Sequence, residues 1–147
     1  MWADTSANHL SSVIKLQKKV IRIITNSQRF EHTRPLFAKL NILRLEEIHF
    51  YKVALIMFKV FNDDTPRVFS GLFTKNINVH DHNTRQATQF HVPIARTNYM
   101  SRAISVKGVS IWNKLSRRVN HDCSYLSFKI SLKKFIINNP DIVPYIC

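Results

Sequence analysis

The segment LEEIHFYKVALIMFKVF at residues 45–61 is the longest dense apolar stretch of the chain, and it decides the fold. Drawn as a helix, it is apolar almost all the way round, with four charged exceptions: Glu46, Glu47, Lys52 and Lys59. A helix with that pattern is normally surrounded by protein. Because the polar residues Asn-Asp-Asp-Thr-Pro follow at 62–66 and stop the helix, the sequence predicts a central, buried helix over residues 45–61.

An amphipathic helix is predicted upstream, over residues 10–24. Its apolar residues recur at helical spacing: Leu10, Val13, Ile14, Val20, Ile21 and Ile24. Asn26 and Ser27 are expected to end it. A shorter helix is predicted over residues 35–40, where Pro35 suits the first turn.

The sequence changes character after the central helix. Residues 66–73 predict a short helical segment, whereas residues 74–101 are polar and lack helical periodicity. We expect a long exposed segment there, with room for one β-hairpin whose candidate strands are residues 89–94 and 103–107.

Two further helices are predicted near the C-terminus. One covers residues 109–115 around Trp112, and the other runs to residue 137 with Ser124 as its N-cap. The apolar neighbours of Trp112 favour a core position over a surface that stacks on bases. The fold class predicted is mainly α: a small helical domain, formed by residues 1–147 as a single domain, with a long polar loop.

Charge is the strongest compositional signal. The 147 residues include 22 Lys and Arg against nine Asp and Glu, which gives a net charge of +13. Such a surface attracts polyanions, whether nucleic acid, an anionic membrane or an acidic protein. No run of 18 apolar residues and no signal peptide is present, so we expect an intracellular protein, nuclear or cytoplasmic, with no membrane partner.

Part of this charge is concentrated on the first predicted helix. Four cations fall at i, i+3, i+4 and i+7 and form one stripe, here called the basic stripe: Lys15, Lys18, Lys19 and Arg22. No acidic residue interrupts it, which favours contact with RNA or DNA phosphates. A second basic region has the composition of backbone contacts and consists of Arg85, Arg96, Arg102 and Lys107. Solvated surface charge is the competing interpretation of both.

Glycine content excludes two classes of nucleotide-binding site. The chain contains two glycines, Gly71 and Gly108, whereas a dinucleotide fingerprint needs three and a phosphate loop needs two at close spacing. We therefore predict no cofactor.

Three local patterns suggest chemistry but are better explained without it. Residues 61–64, Phe-Asn-Asp-Asp, match the paired carboxylates of reverse transcriptases, yet they end a helix and lack the partner carboxylate that metal-assisted phosphoryl transfer needs. The pair His80 and His82 lacks the Cys-x-x-Cys element of a specific zinc site. Residues 121–123, His-Asp-Cys, are adjacent, whereas catalytic triads assemble from distant segments. We predict no catalytic residue and no metal site.

Five short motifs together resemble the C-terminal region that follows the polymerase domain in jockey-like non-LTR retrotransposon reverse transcriptases. In chain order they are LQKKVIRII at 16–24, HTRPLF at 32–37, HNTR at 82–85, IWNKL at 111–115 and FK at 128–129. They cover nearly the whole chain. One departure is Ser116, where the family usually has proline.

The resemblance implies an RNA-directed DNA polymerase whose catalytic domain is absent here, with Met1 as a start inside a truncated transposable element. The chain would then be a thumb-like, non-catalytic accessory region that holds template RNA or the primer duplex. Of the residues inside matched motifs, Lys18, Lys19, Arg22 and Arg85 are suited to phosphate.

Two other functions remain open at this point. A helical module could pack against the missing reverse-transcriptase catalytic domain or another protein, its positive charge being incidental. A hydrolase that uses the His and Cys residues is the remote third. Cations gathered on one face would favour nucleic-acid binding, and a large exposed apolar patch would favour docking.

Overall fold

The computed structural model describes residues 7–79 and 85–143, and it describes their side chains except at residues 7–9 and Ser70. The described chain is mainly helical, as predicted. Its α-helices are α1 Ala7–Ile24, α2 Thr33–Lys39, α3 Leu45–Phe61, α4 Arg67–Ser70, α5 Asn98–Ser101, α6 Val109–Leu115 and α7 Tyr125–Asn138. Shorter turns are the 3-10 helices Asn76–Asn78 and Pro140–Ile142 and the π-helical turn Ile104–Gly108.

The helix predictions are confirmed, with small shifts at the ends. The bounds of α3 and α6 coincide with the predicted ones, and α1 begins at Ala7 instead of Leu10. Helix α7 begins after Ser124, whose Oγ accepts a hydrogen bond from the Ser127 amide at 3.3 Å, as expected of an N-cap.

The predicted β-hairpin is wrong. No strand occurs among residues 7–79 and 85–143, where the pairing is a single antiparallel bridge between Lys75 and Phe90. Residues 104–108 form the π-helical turn that leads directly into α6. Packing at Gly108 explains the difference, because a Cβ there would lie 2.9 Å from Cγ1 of Ile104 and 3.1 Å from Sδ of Met57. This close approach outweighs the β preference of the local Ile and Val.

Three helices end in the same way, with Asn or Asp in the left-handed conformation that glycine usually adopts. The φ angles are 51° at Asn26 after α1, 53° at Asn41 after α2 and 55° at Asp63 after α3. After α3, the Asp63 amide donates to the Val60 carbonyl and the next amide donates to the Lys59 carbonyl, at 3.2 and 2.9 Å. This is a Schellman motif, and the same pair of bonds closes the other two helices.

The chain divides into two compact units. Unit 1 consists of Met1–Tyr51 and Ile130–Cys147, and unit 2 consists of Lys52–Lys129. Both are basic, with 10 Lys and Arg against five Asp and Glu in unit 1 and 12 against four in unit 2. The single-domain assignment stays a prediction.

Polar contacts in unit 1 attach α1 to the start of α3. The Gln17 side chain donates to the Leu43 carbonyl at 3.2 Å and accepts from the Leu45 amide at 3.1 Å. The Glu47 side chain is buried, and it accepts hydrogen bonds from the backbone amide and the guanidinium of Arg44, both at 2.7 Å. One carboxylate therefore caps α3 and neutralises Arg44.

The core of unit 2 is aromatic. Trp112 is 2% exposed, which confirms its predicted core position. Its ring centroid lies 5.5 Å from that of Phe61, 6.0 Å from that of Phe128 and 6.3 Å from that of Phe58. The polar segment predicted to be exposed is anchored at Phe90. This residue is buried, and its backbone carbonyl accepts a hydrogen bond from Nδ2 of the Asn113 side chain at 2.8 Å.

Candidate nucleic-acid interface

Helix α1 has three different sides. Leu10 and Ile21 are buried in unit 1, with Ile14 and Gln17 half-buried between them. The basic stripe lies on a second side. A third side is apolar and exposed, and it consists of Val13, Leu16, Val20 and Ile23. The predicted apolar face of α1 is therefore only partly buried, because helical periodicity identifies apolar residues without showing which of them the rest of the protein covers.

Three members of the basic stripe have no ion-pair partner within the part of the chain that the structure describes. Lys15, Lys18 and Lys19 are exposed, and no carboxylate among residues 7–79 and 85–143 forms an ion pair with any of them. Lys18 and Lys19 follow Lys15 by three and four residues, a separation at which Cβ atoms on one helix face are about 5–6 Å apart. The helix thus presents three ammonium groups to solvent on one side.

Arg22, the fourth member, is engaged within the protein. Its guanidinium donates from Nε and Nη2 to the backbone carbonyl of Glu31, at 3.1 and 3.0 Å. These two bonds hold the loop that follows α1 back against the helix. The sequence pattern predicted a phosphate contact for Arg22. It could not reveal the internal partner, because that partner is a backbone carbonyl and not a side chain.

The loop that follows α1 forms an open groove of about 700 Å³ with the end of the helix. We call it the Phe30 groove; its lining residues are Lys19, Arg22, Ile23, Asn26, Ser27, Arg29 and Phe30. The Phe30 side chain is 88% exposed, and the guanidinium carbon of Arg29 lies 5.8 Å from the centroid of its ring. Sequence analysis missed both residues, although an aromatic residue beside an arginine in a polar loop was a signal that could have found them.

Hydrogen bonds hold the start of the loop that forms the Phe30 groove. The Schellman motif at Asn26 ends α1, and the hydroxyls of Thr25 and Ser27 are hydrogen-bonded to each other at 2.7 Å. Together with the bonds from Arg22 to Glu31, these contacts fix both ends of the loop on α1.

The second basic region lies in unit 2, and no single element aligns it. Arg85, Arg96 and Arg102 are exposed. Arg85 lies in a turn, Arg96 lies in a stretch without regular secondary structure, and Arg102 is the C-cap of α5. Lys107 is half-buried in the π-helical turn. No local geometry comparable to that of the basic stripe arranges these four cations.

Two of the three patterns set aside in the sequence fall on described residues. Residues 61–64 end α3 through the Schellman motif at Asp63, as predicted. The ring of His121 packs edge-on against Phe61 with centroids 5.0 Å apart, in the chain that leads to α7. Among the described residues, no three His, Cys, Asp or Glu side chains are grouped to hold a metal ion, and His80 and His82 lie outside the described residues.

None of the helices in the described part of the chain is long and apolar enough to span a membrane. Comparison with known proteins found no matching family model, no matching curated protein and no matching solved structure.

Proposed function

We propose that this chain is a non-catalytic nucleic-acid-binding region that contacts the phosphate backbone of RNA or DNA through α1. The observation that carries the proposal is the row formed by Lys15, Lys18 and Lys19, exposed and without a carboxylate partner among the described residues. Lysines that lack an internal partner can neutralise phosphates, and each phosphate that is neutralised releases condensed counterions from the nucleic acid with a gain in entropy.

The resemblance of the five motifs extends this proposal to a biological setting. Within it, the chain is an accessory region of a non-LTR retrotransposon reverse transcriptase, downstream of the catalytic domain, and it holds the template or primer during synthesis. The second basic region, at Arg85, Arg96, Arg102 and Lys107, supplies further phosphate contacts.

The test is the salt dependence of binding to a labelled single-stranded oligouridylate. Replacing Lys15, Lys18 and Lys19 together with Gln removes three phosphate contacts, so the log–log slope of affinity against salt should flatten by about 2. The matched control replaces three exposed lysines on three other helices with Gln: Lys39, Lys114 and Lys134. It makes the same change in net charge, and the slope should stay close to that of the parent protein.

If both triple variants flatten the slope equally, binding depends on net charge and not on α1. If the parent protein does not bind at salt concentrations near the physiological range, the proposed function is wrong.

A second candidate function is docking onto a reverse-transcriptase catalytic domain. One observation favours it: the apolar side of α1 is exposed, with Leu16 and Ile23 at 61% and 69%. Four apolar side chains in a row on one helix suit contact with another protein. Replacing Leu16 and Ile23 with Ser should abolish co-elution with that domain, whereas the lysine triple variant should retain it.

A further inference from the structure

The Phe30 groove contains an aromatic side chain that contributes little to the core. Phe30 is 88% exposed, and Ile23 beside it is 69% exposed. The ring lies in a polar loop in which packing does not require an aromatic residue. A large apolar group kept in water at a groove is a common feature of binding sites.

The charge in the groove has a single sign. Lys19, Arg22 and Arg29 line it, and none of its lining residues carries a carboxylate. The Arg29 guanidinium carbon, 5.8 Å from the Phe30 centroid, brings a positive charge next to the exposed ring. An aromatic face flanked by cations matches the combination that single-stranded nucleic acids require: a surface on which a base can stack, and counter-charges for the phosphates on either side of it.

The loop that carries Phe30 is held before any ligand arrives. Arg22 donates two hydrogen bonds to the Glu31 carbonyl, and the left-handed Asn26 closes α1 on the other side of the loop. Binding therefore requires little ordering of the backbone, and less affinity is lost to conformational entropy.

We propose that the Phe30 groove binds one unpaired nucleobase of a single-stranded RNA or DNA, stacked on the Phe30 ring, with the flanking phosphates on Lys19 and Arg29. This inference rests on the proposed function and adds a preference to it: single strands over duplexes. In a duplex both faces of each base are already stacked on neighbouring bases, so no base face is available to stack on the Phe30 ring.

The experiment uses the full chain and two probes, a fluorescein-labelled oligouridylate and a labelled duplex. Replacing Phe30 with Leu keeps an apolar side chain and removes the π face. It should weaken binding of the single strand by roughly 5- to 150-fold, the range for loss of one stacked base, and leave duplex affinity unchanged. Phe30→Tyr keeps the ring and should retain single-strand affinity.

A second readout reports stacking directly. A single strand that contains one 2-aminopurine should lose fluorescence on binding to the parent protein and to Phe30→Tyr, and keep it with Phe30→Leu. The matched control is Leu126→Ala, which removes an exposed apolar side chain from α7 and should change neither readout.

Three results would overturn the inference. If the parent protein binds single strands in a salt-dependent way and Phe30→Leu binds equally well, the stacking site is wrong while the proposed function survives. An equal loss for single strand and duplex would assign Phe30 to a structural role in the loop. Absence of any binding by the parent protein would remove both proposals, and capture of a protein through Phe30 and Ile23 would then explain the exposed ring.

Discussion

Arg22 holds the carbonyl of Glu31 with two of its guanidinium nitrogens, at 3.1 and 3.0 Å. The two residues are separated by a helix end and a loop, so this contact determines where residues 26–30 lie against α1. Arg22 thus differs from the three lysines of the basic stripe in having a hydrogen-bond partner within the protein.

Replacing Arg22 with Gln should release the loop after α1. The variant loses both hydrogen bonds to Glu31. Hydrogen bonds to charged groups typically contribute about 1.5–3 kcal/mol, and because these two are exposed we expect a smaller cost of about 1 kcal/mol. Amide hydrogen exchange in residues 26–31 should accelerate. Lys19→Gln is the control and should leave exchange unchanged. If hydrogen exchange is unaltered in Arg22→Gln but the log–log slope of affinity against salt becomes flatter, Arg22 contacts phosphate instead of holding the loop.

Asp63 should matter for stability and not for catalysis. Its φ of 55° suits Gly, Asn or Asp but strains other side chains, so Asp63→Ala should cost about 1 kcal/mol of unfolding free energy. Asp64→Ala is the matched control, because Asp63 and not Asp64 occupies the left-handed position. Its melting temperature should stay near that of the parent protein, whereas Asp63→Ala should melt at a lower temperature. We also expect no primer extension with Mg²⁺ or Mn²⁺. If the parent protein extends a primer and the Asp63→Asn variant does not, the carboxylate pair is catalytic and the prediction is wrong.

Trp112 should be a structural residue. Truncation to Ala removes a side chain that is 2% exposed and packs against three Phe rings, which typically costs about 3–5 kcal/mol. Urea unfolding measures this loss, and Trp112→Phe should lose much less. A Trp112→Ala protein that unfolds like the parent but has lost affinity for RNA would assign the indole to base stacking instead.

The two glycines should respond in opposite ways to the same substitution. Gly108→Ala places a Cβ 2.9 Å from Cγ1 of Ile104 and 3.1 Å from Sδ of Met57, so we expect a loss of about 1–3 kcal/mol from overpacking. Nothing lies within 4 Å of a Cβ at Gly71, and Gly71→Ala should gain about 0.4–1 kcal/mol by restricting the unfolded chain. Equal effects at both positions would show that Met57 and Ile104 rearrange freely around Gly108.

The helices could be predicted because their signals are local. The bounds of α3 follow from a continuous apolar run and the polar stop after it, and those of α6 from the apolar residues around Trp112. The position of Ser124 likewise predicted the start of α7. Each of these signals lies within a few residues of the element that it defines, so no tertiary information is needed to interpret it.

The basic stripe could also be predicted from a local signal, but only for its three lysines. Helical geometry alone aligns Lys15, Lys18 and Lys19, and their exposure agrees with it. It could not show that Arg22 binds a backbone carbonyl nine residues further along the chain. Nor could it show which of the apolar sides of α1 is covered.

The sequence by itself determined the helical class, most helix bounds, the core position of Trp112 and the row of cations on α1, because local periodicity and stop signals carry that information. Only the tertiary structure decided that residues 104–108 form a π-helical turn, since the packing of Gly108 on Met57 comes from a distant part of the chain. It also decided that Phe90 anchors the polar segment and that the Phe30 side chain stays exposed. These features depend on which segments meet, and burial and contact between residues far apart in the chain leave no periodic trace in the sequence around them.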